Sequence, residues 1–165
     1  MNILLTSHGS LCEGLLDAFH MMAAGADHVS AVSLTDTGID DFRDRLTARV
    51  NELLAQGDLL ILADLLGGTP YNEAYALFLT NPEHIRLVAG ANFSMLLEAG
   101  VLAMSSDDLD AVASAALTAG SAGVVAAEMP ADASDDDEGL GIRRRGAPPC
   151  RAARAAANSQ GIYGA

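Results

Sequence analysis

Residues 3–9 read ILLTSHG, and this stretch predicts the first strand of a sheet and the turn that follows it. The apolar run at residues 3–5 is typical of a short buried strand. An amphipathic segment begins at about Leu11, so His8 stands where the strand gives way to a βα turn. Ligands and reactive groups collect at that edge of open α/β sheets. On His8 alone, a histidine that only caps the turn is the competing interpretation.

Apolar runs alternate with segments of helical periodicity over most of the chain. The predicted strands lie at residues 3–5, 29–34, 59–63 and 85–89. The predicted helices lie at residues 11–24, 40–55, 70–79 and 93–103, with a fifth that Ser105 or Ser106 caps and that runs to about residue 118. This order predicts a doubly wound α/β fold, a mostly parallel four-stranded sheet in the order 2-1-3-4 with helices on both faces. A last short strand near residues 123–127 is compatible with the pattern.

The charge of the chain is unevenly distributed. Residues 1–130 hold 17 acidic and 4 basic side chains, which account for the whole net charge of −13. Such a surface disfavours nucleic acid and anionic membranes and favours a basic protein partner, with plain solubility as the alternative. Residues 131–165 change to an acidic run followed by Gly, Arg, Pro and Ala. We expect them to form a low-complexity, mostly disordered tail after a domain of residues 1–130.

Several classes of protein are disfavoured by the sequence. It holds no apolar stretch of about 18 residues, and its N-terminus lacks a basic signal region, so a cytoplasmic protein is expected. Neither the cysteines nor the histidines have metal-ligand spacing, and no metal or cofactor is expected. The other residues that could carry chemistry are interpreted separately. The histidines His20, His28 and His84 are expected to be surface or capping residues, and Cys12 a small buried helix residue. The methionines Met21, Met22 and Met95 are expected in the core, with an adaptable rim for protein partners as the alternative.

Asp64 follows the third predicted strand much as His8 follows the first. Strands one and three are neighbours in the order 2-1-3-4, so the two residues would face each other where the winding changes direction. An aspartate in that place accepts a hydrogen bond from one ring N–H, which fixes the tautomer and leaves the other nitrogen free to attack.

The residues after Asp64 predict a cradle for an anion. Gly67 and Gly68 let the backbone approach a ligand closely, and Thr69 is expected to cap a helix that opens with Pro70. The amides that open a helix bind anions. Together with His8, this set predicts a site for a phosphoryl group. The alternative is a βα turn in which these residues serve only the fold.

Three motifs resemble the mannose-family enzyme IIA domain of the bacterial sugar phosphotransferase system. They are SHG at residues 7–9, DLLGGTPYN at 64–72 and AGANFSML at 89–96, within a resemblance that covers about residues 1–125. The resemblance implies a carrier that accepts a phosphoryl group from phospho-HPr and passes it to enzyme IIB, which phosphorylates sugar entering through a membrane permease.

The resemblance also implies roles for single residues. His8 is the phosphorylated residue and Asp64 its orienting partner. The residues it implies for phosphate binding are Gly9, Leu65, Gly67, Gly68 and Thr69. It further implies a homodimer that exchanges a C-terminal strand, here near residues 123–127. Ser94 stands where the family commonly has proline, which predicts a local change at the start of that helix.

Other functions are also compatible with these residues. The main alternative is a regulatory module that senses phosphotransferase flux through His8 and binds a regulator, and a phosphoryl donor for dihydroxyacetone kinase is a third option. A receiver domain would need an acidic pair after the first strand and a late lysine, and a Rossmann protein would need Gly-x-Gly-x-x-Gly there. A serine hydrolase would need a Gly-x-Ser-x-Gly elbow. The sequence has none of these patterns.

Overall fold

A computed structural model describes residues 1–23 and 27–129 of the chain. The strands are β1 (Asn2–His8), β2 (Val29–Leu34), β3 (Leu59–Ala63) and β4 (Ile85–Ala89). The helices are α1 (Leu11–Met22), α2 (Ile39–Leu54), α3 (Thr69–Thr80), α4 (Phe93–Ala103) and α5 (Leu109–Ala122). All strand pairs are parallel, and the sheet order is β2-β1-β3-β4. The predicted doubly wound α/β fold is confirmed.

The first strand is longer than the apolar run that predicts it. It pairs with β2 from Ile3 through His8 and with β3 from Asn2 through Thr6. Because β1 is an inner strand with neighbours on both sides, its polar residues Thr6 and Ser7 are buried as fully as its leucines. The strand therefore carries His8 to the carboxyl edge of the sheet.

Two cores lie on opposite faces of the sheet. Ile3 and Leu5 of β1 belong to the core covered by α1, α4 and α5, whereas Leu4 belongs to the core covered by α2 and α3. Successive side chains of a strand point to opposite faces. The alternation continues to the end of β1, so Ser7 lies on the α1 side and His8 on the α3 side of the sheet. The same alternation decides the contacts of the site.

Two predictions about the helices are wrong. The cap of α5 is neither Ser105 nor Ser106, because the carboxylate of Asp108 accepts a hydrogen bond from the N–H of Ala111 at 3.0 Å. A carboxylate is favoured there by the positive end of the helix dipole. Met21 and Met22 are exposed, since α1 ends at Met22 and the residue after it packs on the core instead. Met95, in contrast, is buried as predicted.

Residues 123–127 are not a strand within the single chain. Helix α5 continues to Ala122 with Gly123 as its C-cap, and the residues from Val124 to Met129 have no regular structure. Val124 and Val125 are each 81% exposed. The compact unit that carries all these elements spans Met1–Ala126. The predicted tail of residues 131–165 lies outside the described residues.

None of the helices described over residues 1–23 and 27–129 has both the length and the apolar character needed to span a bilayer.

Candidate active site

The candidate site lies at the carboxyl edge of the two central strands. The β1–α1 turn leads away from His8, and the β3–α3 loop leads away from Asp64, on strands that pair in register up to Thr6 and Ala63. Helix α1 covers one face of the sheet and α3 covers the other. The winding therefore changes direction between β1 and β3, which is the place where open α/β sheets form a ligand crevice.

The structure brings His8 and Asp64 together. The Nδ1–H of His8 donates to Asp64 Oδ2 at 2.8 Å, and the backbone N–H of His8 donates to the same oxygen at 2.9 Å. The side chain of Asp64 is 11% exposed, while that of His8 is 46% exposed. A carboxylate only accepts hydrogen bonds, so it holds the ring proton on Nδ1. In the neutral ring, Nε2 then keeps its lone pair.

Gly68 lies directly against the imidazole. A Cβ at this position would lie 2.7 Å from His8 Cε1 and 3.5 Å from His8 Nε2. The absence of a side chain is therefore what lets the ring rest on the start of α3. The first amides of a helix have no partner within it and attract anions. Nε2 thus faces a region suited to a phosphoryl group.

The loop that leads into α3 is held in shape by local hydrogen bonds. Gly67 has a φ of +77°, which favours glycine, and the side chain of Asn72 donates to its carbonyl at 3.0 Å. The N–H of Gly68 donates to the carbonyl of Leu65 at 3.1 Å. The N-cap of α3 is Gly68 and not Thr69, which is the first helical residue. The sequence placed the cap one residue late because threonine is the commoner capping type.

Two of the predicted phosphate-binding residues, Gly9 and Leu65, do not lie at the start of α3 as the others do. Gly9 has a φ of +55°, and its N–H donates to the carbonyl of Leu34 at 2.8 Å. Because that amide is already used by the sheet, Gly9 shapes the turn and does not present its N–H to a ligand. The side chain of Leu65 is exposed next to the site. Gly67, Gly68 and Thr69 lie where the α3 amides begin.

A second histidine–aspartate pair lies away from the glycine loop and the start of α3. His84 Nδ1 lies 2.8 Å from Asp58 Oδ1 at the opposite edge of the sheet, just before β3 and β4 begin. No glycine loop follows this pair. His28 Nε2 lies 3.0 Å from the carbonyl oxygen of Gly100, a structural contact. In the part of the chain that the structure describes, no group of three or more His, Cys, Asp or Glu side chains could hold a metal ion.

Sequence reasoning missed Asn72 as a support of the loop at the site. Asn72 stands inside one of the three motifs, but its role depends on which backbone carbonyl the fold places within reach of its side chain. Cys12, one helical turn beyond His8, is a buried helix residue as predicted, and burial raises the pKa of its thiol. A neutral thiol is a poor nucleophile, so Cys12 serves packing.

Comparison with known proteins identifies relatives of this chain. The family model for the PTS system fructose IIA component matches residues 2–117. The PTS system fructose-specific EIIA component of Bacillus subtilis is 26% identical over 99 residues, covering 59% of this chain and 67% of that protein. The mannose-specific EIIAB component of Escherichia coli K12 is 26% identical over 125 residues, and this chain spans only 38% of its length.

Solved structures with a similar fold include PTS IIA proteins. The mannose/sorbose-specific IIA subunit from Enterococcus faecalis has a TM-score of 0.69 at 31% identity, covering 78% of this chain and 96% of that one. The phosphotransferase component EIIA from Streptococcus agalactiae has a TM-score of 0.68 at 28% identity, covering 76% and 95%. The fold of this chain is therefore shared with solved PTS IIA proteins.

Proposed function

This chain belongs to the family of PTS fructose IIA components, and from that premise we propose that it is a cytoplasmic phosphoryl carrier. HPr is the proposed donor, and enzyme IIB is the proposed acceptor, which phosphorylates sugar entering through a membrane permease. The observation that carries the proposal is the 2.8 Å hydrogen bond from His8 Nδ1 to Asp64, which leaves Nε2 free beside the start of α3.

The first step is attack by the Nε2 lone pair of His8 on the phosphorus of phospho-HPr. A bond forms between Nε2 and phosphorus, and the N–P bond to HPr breaks with its electron pair returning to the HPr imidazole. The positive charge that develops on the His8 ring is stabilised by Asp64 through the Nδ1–H. The dipole and amides of α3 stabilise the phosphoryl oxygens. Transfer to enzyme IIB repeats the exchange, with His8 as the leaving group.

Exposed leucines near His8 support the proposal that a protein partner docks there. Leu65 and Leu66 follow Asp64 directly and are 59% and 70% exposed, and Leu11 lies three residues after His8 and is also exposed. Exposed apolar side chains grouped at a site are typical of protein interaction surfaces. The excess of acidic residues in 1–130 favours a donor with a basic face.

Phosphorylation in a reconstituted system tests this proposal. The protein is incubated with phosphoenolpyruvate, enzyme I and HPr, and we expect an acid-labile, alkali-stable adduct of about 80 Da. The adduct should be absent in His8→Ala. His84→Ala is the matched control, because His84 pairs with an aspartate over the same 2.8 Å distance at the other edge of the sheet. No adduct on the parent protein, or an adduct that persists in His8→Ala, would refute the proposal.

The position of the phosphoryl group on the ring is a separate expectation. Asp64 occupies the Nδ1 side, so the product should be the Nε2-linked isomer. Phosphorus NMR of the denatured adduct distinguishes the two isomers. An Nδ1-linked product would contradict the proposed geometry even if His8 were labelled.

The proposed assembly is a homodimer that exchanges the segment after α5. β4 is an outer strand of the sheet order, and in the single chain Val124 and Val125 expose 81% of their surface. Unpaired edge strands and exposed apolar residues both favour association. Light scattering should give the mass of a dimer for the parent and of a monomer for a Val124→Asp, Val125→Asp variant. A monomeric parent would refute the assembly and leave the chemistry of His8 untouched.

A further inference from the structure

The hydroxyl of Ser7 is a buried polar group that the phosphoryl chemistry of His8 does not use. Ser7 directly precedes His8 and is 1% exposed. Its Oγ accepts a hydrogen bond from the N–H of Cys12 at 2.8 Å and donates one to the carbonyl of Gly9 at 3.2 Å. One hydroxyl therefore joins the end of β1, the β1–α1 turn and the first turn of α1.

The Ser7 hydroxyl acts as a side-chain cap for the first turn of α1. Ser10 holds the N-cap position of α1, but its side chain makes no capping hydrogen bond. The N–H of Cys12 belongs to the first helical turn, where amides lack a partner within the helix. Ser7 satisfies it from the strand, across the turn that contains Gly9. The start of α1 is therefore hydrogen-bonded to Ser7, the residue that directly precedes His8.

A second buried serine fastens the same helical turn. Ser33 is the register partner of Ser7 on β2, and its Oγ donates to the carboxylate of Glu13 in the first turn of α1. Ser33 is also buried. The ends of two neighbouring strands therefore hold the first turn of α1 through hydroxyl groups on the same face of the sheet.

We propose that Ser7 is a positioning residue for His8. The backbone around His8 is held by three hydrogen bonds: His8 N–H to Asp64, Gly9 N–H to Leu34, and the hydroxyl of Ser7 to the Gly9 carbonyl. The first acts from Asp64, which follows β3, and the second acts from β2. The same Ser7 hydroxyl also accepts a hydrogen bond from the N–H of Cys12, which ties the turn to α1. Without the hydroxyl, the Cys12 amide loses its partner under a buried side chain, and the turn relaxes. The imidazole then no longer keeps its place between Asp64 and Gly68.

The test compares Ser7→Ala with a matched variant at the other end of the same strand. Asn2→Ala also removes a buried side-chain hydrogen bond from β1, the one that Asn2 donates to the Leu53 carbonyl at 3.1 Å. Two readouts are made on folded protein: the tautomer of His8 by long-range proton–nitrogen NMR, and the kinetics of phosphoryl transfer from phospho-HPr.

In Ser7→Ala, we expect the Nδ1–H tautomer of His8 to lose its dominance. We also expect kcat to fall by about 10- to 100-fold, the cost of misplacing a reacting group by about an ångström, with little change in KM. Ser7→Thr, which keeps the hydroxyl, should restore both readouts. Asn2→Ala should leave both at parent values, whatever its loss of stability.

Parent-like tautomer and kcat in Ser7→Ala, equal effects in Asn2→Ala, or failure of folded Ser7→Thr to restore function would each overturn the inference. If Ser7→Ala does not fold, Ser7→Cys replaces it, because a thiol is a weak donor and acceptor, and parent-like readouts would then overturn it. The inference rests on the proposed function for its kinetic readout only. If the parent protein takes no phosphoryl group, the proposed function fails, and the NMR readout alone decides the role of Ser7.

Discussion

Replacing Gly68 with alanine tests whether contact with the imidazole is what requires glycine. The backbone at Gly68 has φ −68° and ψ 164°, a conformation that alanine adopts without strain. The added Cβ would lie 2.7 Å from His8 Cε1, so reaching an ordinary carbon separation of about 3.5 Å displaces the ring by about 0.8 Å. A shift of that size stretches the 2.8 Å bond to Asp64 toward the limit of a hydrogen bond.

The expected result is a loss of transfer without a loss of stability. A misplacement near 1 Å costs up to about 100-fold in rate, so we expect a 10- to 100-fold fall in kcat, or about 1.4–2.7 kcal/mol in activation free energy. Stability should stay within about 1 kcal/mol of the parent, since replacing glycine at a compatible backbone restricts the unfolded chain and the half-exposed ring can move away.

Rapid-quench transfer from phospho-HPr and urea denaturation measure the two quantities. Gly14→Ala is the matched control, because Gly14 is an exposed residue of α1 and a Cβ there meets no atom within 4 Å. That variant should be more stable by about 0.5–1 kcal/mol and should transfer at the parent rate. Transfer by Gly68→Ala within two-fold of the parent would refute the account of the site given above.

Three further predictions concern the aspartate beside His8, the exposed leucines near the site and the buried thiol. Asp64→Asn should keep the fold but slow transfer by about 10- to 100-fold or more, because the amide no longer holds the ring proton on Nδ1; equal rates would contradict that role. Leu66→Ala should raise KM for phospho-HPr with kcat and stability unchanged, and an unchanged KM would remove Leu66 from the docking surface. Burial raises the pKa of the Cys12 thiol above its usual 9.0, so the stability it contributes is intact below pH 9.0 and is lost as the pH rises through the folded-state pKa. The urea midpoint should therefore fall at alkaline pH, and a fall of the same size in Cys12→Ala would refute this assignment.

The elements that the sequence predicted best are those with one dominant signal. The strands at residues 29–34, 59–63 and 85–89 and the helix at 93–103 have the predicted bounds. Each is a short apolar run or an apolar helix closed by polar or glycine residues, so burial alone delimits it. The extent of β1 was underestimated because its polar residues are buried by pairing on both sides, which the composition of one strand does not show.

The errors lie where several local choices have similar energies. Thr69, Ser105 and Ser106 are all residue types that cap helices, but the N-caps in the structure are Gly68 and Asp108. Residues 123–127 carry an apolar pattern that suits a strand, yet strand formation needs pairing with another strand, and in the single chain these residues pair with none of the four described strands.

By itself, the sequence determined the order of strands and helices and the residue types at the carboxyl ends of β1 and β3. Those features are local, because apolar periodicity and turn residues act over a few positions. The tertiary structure alone decided that Asp64 binds the Nδ1 side of His8, that Gly68 supports the ring, and that Ser7 is joined to α1. The histidine and aspartate lie 56 positions apart in the chain. Their contact therefore depends on strand register and on the alternation of side chains across the sheet, which only the packed fold specifies.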